Sequence, residues 1–211
     1  MARAMTPRVG CIILAAGAGK RFGGAKLLAT HDGAALLQKA IDAACGSSAL
    51  TCTLVLGAHA GAVLGGTDSR RCAVAFNEAW RSGLASSLRR GLREHRDDDA
   101  CIIALGDQPF VTSADLNLLI ARWCAQHGPQ ATGDRKSARP PIVALRAGDV
   151  WGAPILFPRA DFTALARLTG DRGAKKYAAA QKERLAFVQA CDARAFEDVD
   201  TTADLTRLSA P

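Results

Sequence analysis

The stretch that most limits what this chain can become is "VGCIILAAGAGKRFGGAKLL", residues 9–28. Its apolar start, 9–16, is too dense to alternate between a wet and a dry face, which predicts a strand buried on both sides. Glycines, alanines and three cations (Lys20, Arg21, Lys26) follow at once. Behind a buried strand of an open α/β sheet, such a turn is where phosphates are held. Three comparable runs come later, at 51–57, 71–76 and 101–107, with helical patterns between them. Residues 33–45 put Leu36, Leu37, Ala40, Ile41 and Ala44 on one stripe. Segments 84–95 and 112–128 are two more helices, the second with Thr112 or Ser113 as N-cap and Gly128 as stop. Strand–helix alternation with right-handed crossovers predicts a three-layer αβα sandwich around a Rossmann-like, mostly parallel sheet. Runs at 142–145, 153–157 and 184–190 supply later strands, and 159–169 and 202–209 later helices. The polar, Gly- and Pro-punctuated segment 127–141 reads as a loop within one domain, 1–211.

A chain of 211 residues suits one domain, and 49% hydrophobic residues suffice for a core. The net charge of +7 favours anionic partners, and Met1–His31 holds Arg3, Arg8, Lys20, Arg21 and Lys26 without an acid. The other arginines are dispersed and not interleaved with aromatics, which argues against a nucleic-acid-binding module. Seven cysteines (11, 45, 52, 72, 101, 124, 191) form no C-x-x-C. Local spacing therefore predicts neither a zinc site nor a redox pair, but buried, reduced thiols. Histidines 31, 59, 95 and 127 are dispersed without ligand spacing and read as surface or loop residues. No segment has the roughly 18 apolar residues of a membrane helix, and the basic start lacks the apolar core of a signal peptide. The expectation is a soluble cytoplasmic protein with no membrane partner.

Two familiar phosphate loops fail against residues 14–28. A Walker loop needs G-x-x-x-x-G-K and then Ser or Thr; here Leu14 stands five before Gly19, and Arg21 follows Lys20. A dinucleotide turn needs G-x-G-x-x-G; Gly17, Gly19 and Gly23 give one residue too many, and the next strand ends without a carboxylate for a ribose.

A third template fits. "LAAGAGKRFGGAKLL" (14–28) resembles L-A-[AG]-G-x-[GS]-x-R-[MFL]-G-x-x-K, the signature of the MobA-like and MocA-type nucleotidyltransferases of molybdenum cofactor biosynthesis. Leu14, Ala15, Ala16, Gly17, Gly19, Arg21, Gly23 and Lys26 match. Small residues let the backbone approach a base and ribose, while Arg21 and Lys26 suit a triphosphate. "NEAWRSGLASSLRRGL" (77–92) resembles a second family segment, with Glu78 for the usual Pro; it implies Gly83 and Ser87 as nucleotide contacts, beside a plain helix-cap role for the serines. "IIALGDQPFV" (102–111) ends a strand in Asp107, and G-D-Q-P resembles the molybdenum cofactor cytidylyltransferase branch. "FEDVDTTADL" (196–205) resembles the family's ending, with Asp200 a second metal carboxylate and Asp204 a helix cap. "WGAPILF" (151–157) and "ARLTGDRGAKKY" (166–177) resemble the acceptor-facing half and supply Gly152, Pro154 and Asp171. Val150, Trp151 and Ala153 stand where relatives carry polar residues, which loosens the acceptor assignment more than the nucleotide.

The resemblance divides the chain into a nucleotide half, about 9–111, and an acceptor half, about 112–208. It implies the nucleotide-diphospho-sugar transferase type of fold. It also implies transfer of a nucleoside monophosphate, CMP from CTP foremost, to a phosphorylated molybdopterin-type acceptor, with loss of pyrophosphate. Arg21, Lys26 and Asp107 would be catalytic, and Asp107 with Asp200 would hold Mg2+, or Mn2+ in its place. A guanylyltransferase, a sugar- or polyol-phosphate nucleotidyltransferase, and a non-catalytic cofactor chaperone for a molybdenum hydroxylase partner stay open as alternatives.

Overall fold

A computed structural model describes residues 7–127, 139–197, 199 and 201–208. The expected helix stop at Gly128 and the carboxylates Asp198 and Asp200 lie outside the described residues, as does most of the expected loop 127–141.

The dense run at the start forms β1 (Val9–Ala15), buried along its whole length. A short hairpin of β2 (Thr30–His31) and β3 (Ala34–Ala35) leads into α1 (Leu36–Cys45), whose expected stripe faces the core. Then come β4 (Thr51–Leu56), α2 (Ala60–Gly66), β5 (Ala73–Phe76), α3 (Leu84–Leu92), β6 (Ala100–Leu105) and α4 (Ser113–His127). The second half contributes β7 (Ile142–Ala147), β8 (Val150–Pro158), α5 (Phe162–Ala166), α6 (Ala174–Ala179), β9 (Leu185–Gln189) and α7 (Thr202–Leu208). The seven long strands form one sheet in the order β5-β4-β1-β6-β8-β7-β9, so both halves share it. It is mostly parallel: β8 alone among them runs antiparallel to its neighbours β6 and β7.

Side chains of β1 alternate between two apolar clusters, Cys11 and Ile13 on one face, Ile12 and Leu14 on the other. Helices α1 and α4 cover the first face, and α3, α5 and α6 the second, giving the three expected layers. Thr112 caps α4: its Oγ1 and N both donate to Asp115 Oδ2, at 2.7 and 2.8 Å. Asp204 does the same for α7, accepting from Thr201 N and Oγ1 at 2.8 Å.

Some expectations need correction. The run 71–76 gives an edge strand, β5, with Ala75 buried but Phe76 53% exposed, because it pairs on one side only. Glycine-rich α2 escapes notice because "AGAVLGG" has weak helix propensity. His31 and His95 are interior, at 2% and 1% exposed. His95 bridges Asp98 Oδ2 (2.8 Å) and Thr53 Oγ1 (2.9 Å), and His31 meets the carbonyl of Leu208 and stacks edge-on against Phe110. Hydrogen bonding to both ring nitrogens is what lets an imidazole be buried, and spacing in the chain does not reveal it.

Candidate active site

The loop after β1 is shaped by one residue. Gly19 adopts φ +61°, and its carbonyl accepts from Phe22 N and Gly23 N at 3.0 and 3.1 Å. A Cβ there would stand 2.3 Å from the Gly24 carbonyl oxygen, so only glycine closes this turn. Leu27, buried in the 3₁₀ turn that follows, anchors the far end. Leu14, Ala15 and Ala16 are buried at the strand's exit, whereas Gly17 is exposed with open space where a side chain would project. Arg21 and Lys20 are exposed on the same loop.

Lys26 turns back across the sheet. Its Nζ donates to Asp107 Oδ2 at 2.7 Å, although 81 residues separate the two. The reason is register: β1 and β6 are parallel neighbours with Leu14 opposite Leu105, and Gly106 N donating to Leu14 O extends the ladder one step further. The two loops therefore leave the sheet side by side, at the carboxyl ends where open α/β sheets place ligands. Both side chains are partly shielded, at 12% and 23% exposed. Asp107 offers a carboxylate oxygen, the donor that a hard divalent cation takes.

The segment 77–92 ties its two serines to Asn77. Asn77 Nδ2 donates to Ser86 Oγ (2.8 Å) and Ser87 Oγ (3.0 Å), and Ser87 is 4% exposed. Gly83, at φ +102°, starts α3 beneath the loop 170–171, where a Cβ would meet the Gly170 carbonyl carbon at 2.4 Å. Asp171 Oδ1 accepts from Leu84 N at 3.3 Å and Gly170 O from Ala85 N at 3.0 Å. Thus the amides opening α3 are held by the protein's own loop, in which Asp171, the expected acceptor contact, also caps the helix from afar.

Beside the Lys26–Asp107 pair lies a cavity of about 270 Å³, lined by residues including Leu14, Leu105, Gln108, Trp151, Gly152 and Lys175. Gly152 is in its wall, facing the Phe196 ring, and buried Pro154 follows the lining Ala153 through a cis peptide. Lys175 Nζ sits 5.2 Å from the Trp151 ring, and Phe187 packs edge-on to Trp151. Gln108 is 4% exposed, and its Oε1 has no hydrogen-bond partner among the described residues. Gln108 and Lys175 are absent from the sequence-derived site, although both lie inside the motifs quoted for it, directly after Asp107 and in the G-A-K run.

A family model for the MobA-like NTP transferase domain matches residues 11–189. The chain belongs to the MobA-like NTP transferases. Among relatives of this family member is the nicotine blue oxidoreductase of Paenarthrobacter nicotinovorans, 28% identical over 204 residues, 96% of this chain and 97% of that protein. Rv0371c from Mycobacterium tuberculosis H37Rv superposes with a TM-score of 0.79 at 29% identity, covering 97% of this chain and 98% of that one. A manganese complex of Rv0371c gives 0.74 at 28% identity, over 95% and 97% of the two chains. Among the described residues of this MobA-like chain, no helix is long and apolar enough to cross a membrane.

Proposed function

We propose that this MobA-like transferase moves a nucleoside monophosphate, CMP from CTP, onto the phosphate of a molybdopterin-type acceptor and releases pyrophosphate. The observation that carries the reading is the Lys26–Asp107 pair at 2.7 Å, at the mouth of the glycine loop and beside the apolar cavity. Lys26 and Arg21 hold the triphosphate, with Gly17 and Gly19 letting the backbone approach the nucleoside. Leu14, Ala15 and Ala16 form the floor beneath it, and Gly83 and Ser87, at the start of α3, are the nucleotide contacts of the second motif. Asp107 would hold Mg2+ or Mn2+, with Asp200 as the second carboxylate; bound there, the ion offsets the charge developing on the phosphates. Manganese in the Rv0371c complex supports a divalent ion in this fold.

The acceptor phosphate is anionic at neutral pH, so no side-chain nucleophile is needed, and positioning with charge compensation supplies the rate. The cavity favours a flat heteroaromatic acceptor: Trp151 offers a ring face, and the buried Gln108 Oε1 awaits an N–H donor. The Ala-Ala-Gly turn and G-D-Q-P favour CTP, both resembling the cytidylyltransferase branch. No nucleic acid or membrane enters this reaction, and a molybdenum hydroxylase is the recipient consistent with its product.

The test is pyrophosphate release from CTP, GTP, ATP and UTP, each with and without molybdenum cofactor. Release from CTP that depends on the cofactor is expected, and Gln108→Leu raises the acceptor KM more than the CTP KM. Turnover with a sugar phosphate and not the cofactor overturns the acceptor; cofactor binding with no turnover of any nucleotide makes the protein a carrier.

A further inference from the structure

At the opposite pole of the sheet from the Lys26–Asp107 pair, cysteines distant in sequence converge. Cys52 is the second residue of β4, Cys72 directly precedes β5, and Cys45 ends α1. The candidate active-site loops leave the other ends of the strands, about 16 Å away at roughly 3.3 Å per residue. Cys72 Sγ lies 3.4 Å from Cys45 Sγ and 3.3 Å from Cys52 Sγ, and all three sulfurs fall within 4.8 Å of one another. Among the described residues, no other group of three His, Cys, Asp or Glu ligand atoms converges this closely. Cys52 is buried, while Cys45 and Cys72 are half-buried and open a path from solvent.

We propose that Cys45, Cys52 and Cys72 form a trigonal thiolate site for one Cu(I) ion. Sulfur donors alone make a soft site, which selects a soft cation. A metal–sulfur bond of about 2.3 Å in a trigonal plane sets the sulfurs about 4 Å apart. The two close contacts therefore open by about 0.6–0.7 Å, which a helix terminus and a turn before a strand accommodate. Zinc takes four donors in structural sites, and the converging set offers three. Cys11, opposite Cys52 in register, is fully buried in the core and outside that set.

The local electrostatics suit thiolates. The Arg71 side chain places a cation beside the three sulfurs, opposite in sign to the thiolates that a metal ion would bind. Arg71 also donates to the Cys45 carbonyl, which keeps its charge beside the cluster. Binding displaces the S–H protons of the cluster to solvent, with no change in the oxidation state of the copper.

The site is independent of the nucleotidyl transfer proposed above. The reduced full-length chain is titrated anaerobically with Cu(I) against the chromophoric chelator bicinchoninate. One equivalent is expected, with affinity lower by more than about 100-fold in Cys45→Ser and in Cys72→Ser, a loss at least as large as outer-shell changes produce. Circular dichroism checks that these variants fold. In the unmutated protein, one equivalent of Cu(I) is expected to protect Cys45 and Cys72 from iodoacetamide. Uptake unchanged in the Cys45→Ser, Cys72→Ser double variant overturns the proposal. So does one equivalent of Zn(II) with no Cu(I), or loss of two thiols in air by a protein that takes up neither ion, which makes the cluster a disulfide pair.

Discussion

Lys26 and Asp107 neutralise each other across two loops, so in the proposed reaction nucleotide and metal part them on binding. Lys26→Ala is expected to lower kcat/KM by about 10²-fold or more, the cost of removing one charge stabiliser from a transition state, read by pyrophosphate release. Equal stabilisation of the wild type, Lys26→Ala and Asp107→Ala by CTP with Mg2+ in a thermal-shift assay would remove this pair from the site. Gly19 carries a different burden. Gly19→Ala forces a left-handed backbone on a residue with a Cβ, costing roughly 1–2 kcal/mol before the clash with Gly24 is counted. Urea unfolding should show that loss, and the KM for nucleotide should rise with it. Lys26 and Gly19 were singled out through the family signature, which is contiguous in the chain. The burial of Ser87 was not legible there, because its partner Asn77 comes from another element.

Among the elements, α3 and α5 depend on partners that no local pattern announces. Asp171 caps α3 from a loop 87 residues on, and Asp171→Ala is expected to cost about 1 kcal/mol, a typical capping loss, measured by urea denaturation. A much larger loss in KM for the acceptor than in stability would return Asp171 to the acceptor role. Asp161, fully buried at the entry to α5, receives Arg184 Nη2 at 2.7 Å and the Tyr177 hydroxyl at 2.7 Å. Burial and that carboxylate push the Tyr177 hydroxyl above its ordinary pKa, so it stays a donor. Arg184→Leu leaves a buried carboxylate underpaired and is expected to destabilise by about 3–5 kcal/mol. Helices with apolar stripes, α1, α3 and α5 among them, were readable; the short α2 and α6 were not, since their stability is borrowed from tertiary contacts.

For the whole molecule, treatment with EDTA is expected to abolish nucleotide turnover, with Mg2+ or Mn2+ restoring it and the melting temperature of the nucleotide-free protein unchanged. Chelation that lowers the melting temperature instead would mean a structural ion. The architecture was open to sequence reading because dense apolar runs and 3.6-residue stripes are short-range consequences of burial. The family followed from the sequence for a similar reason: its signature is contiguous, and Leu14 to Lys26 spell it out. Only the tertiary structure decided what crosses between strands. It set Lys26 against Asp107, turned Gly83 and Asp171 toward each other, and left Gln108 Oε1 without a partner among the described residues. It also gathered three cysteines that lack any C-x-x-C spacing. In a mostly parallel sheet, neighbours in space are joined by long crossovers, so the pairing of strands, and every contact that depends on it, is invisible to a reading along the chain.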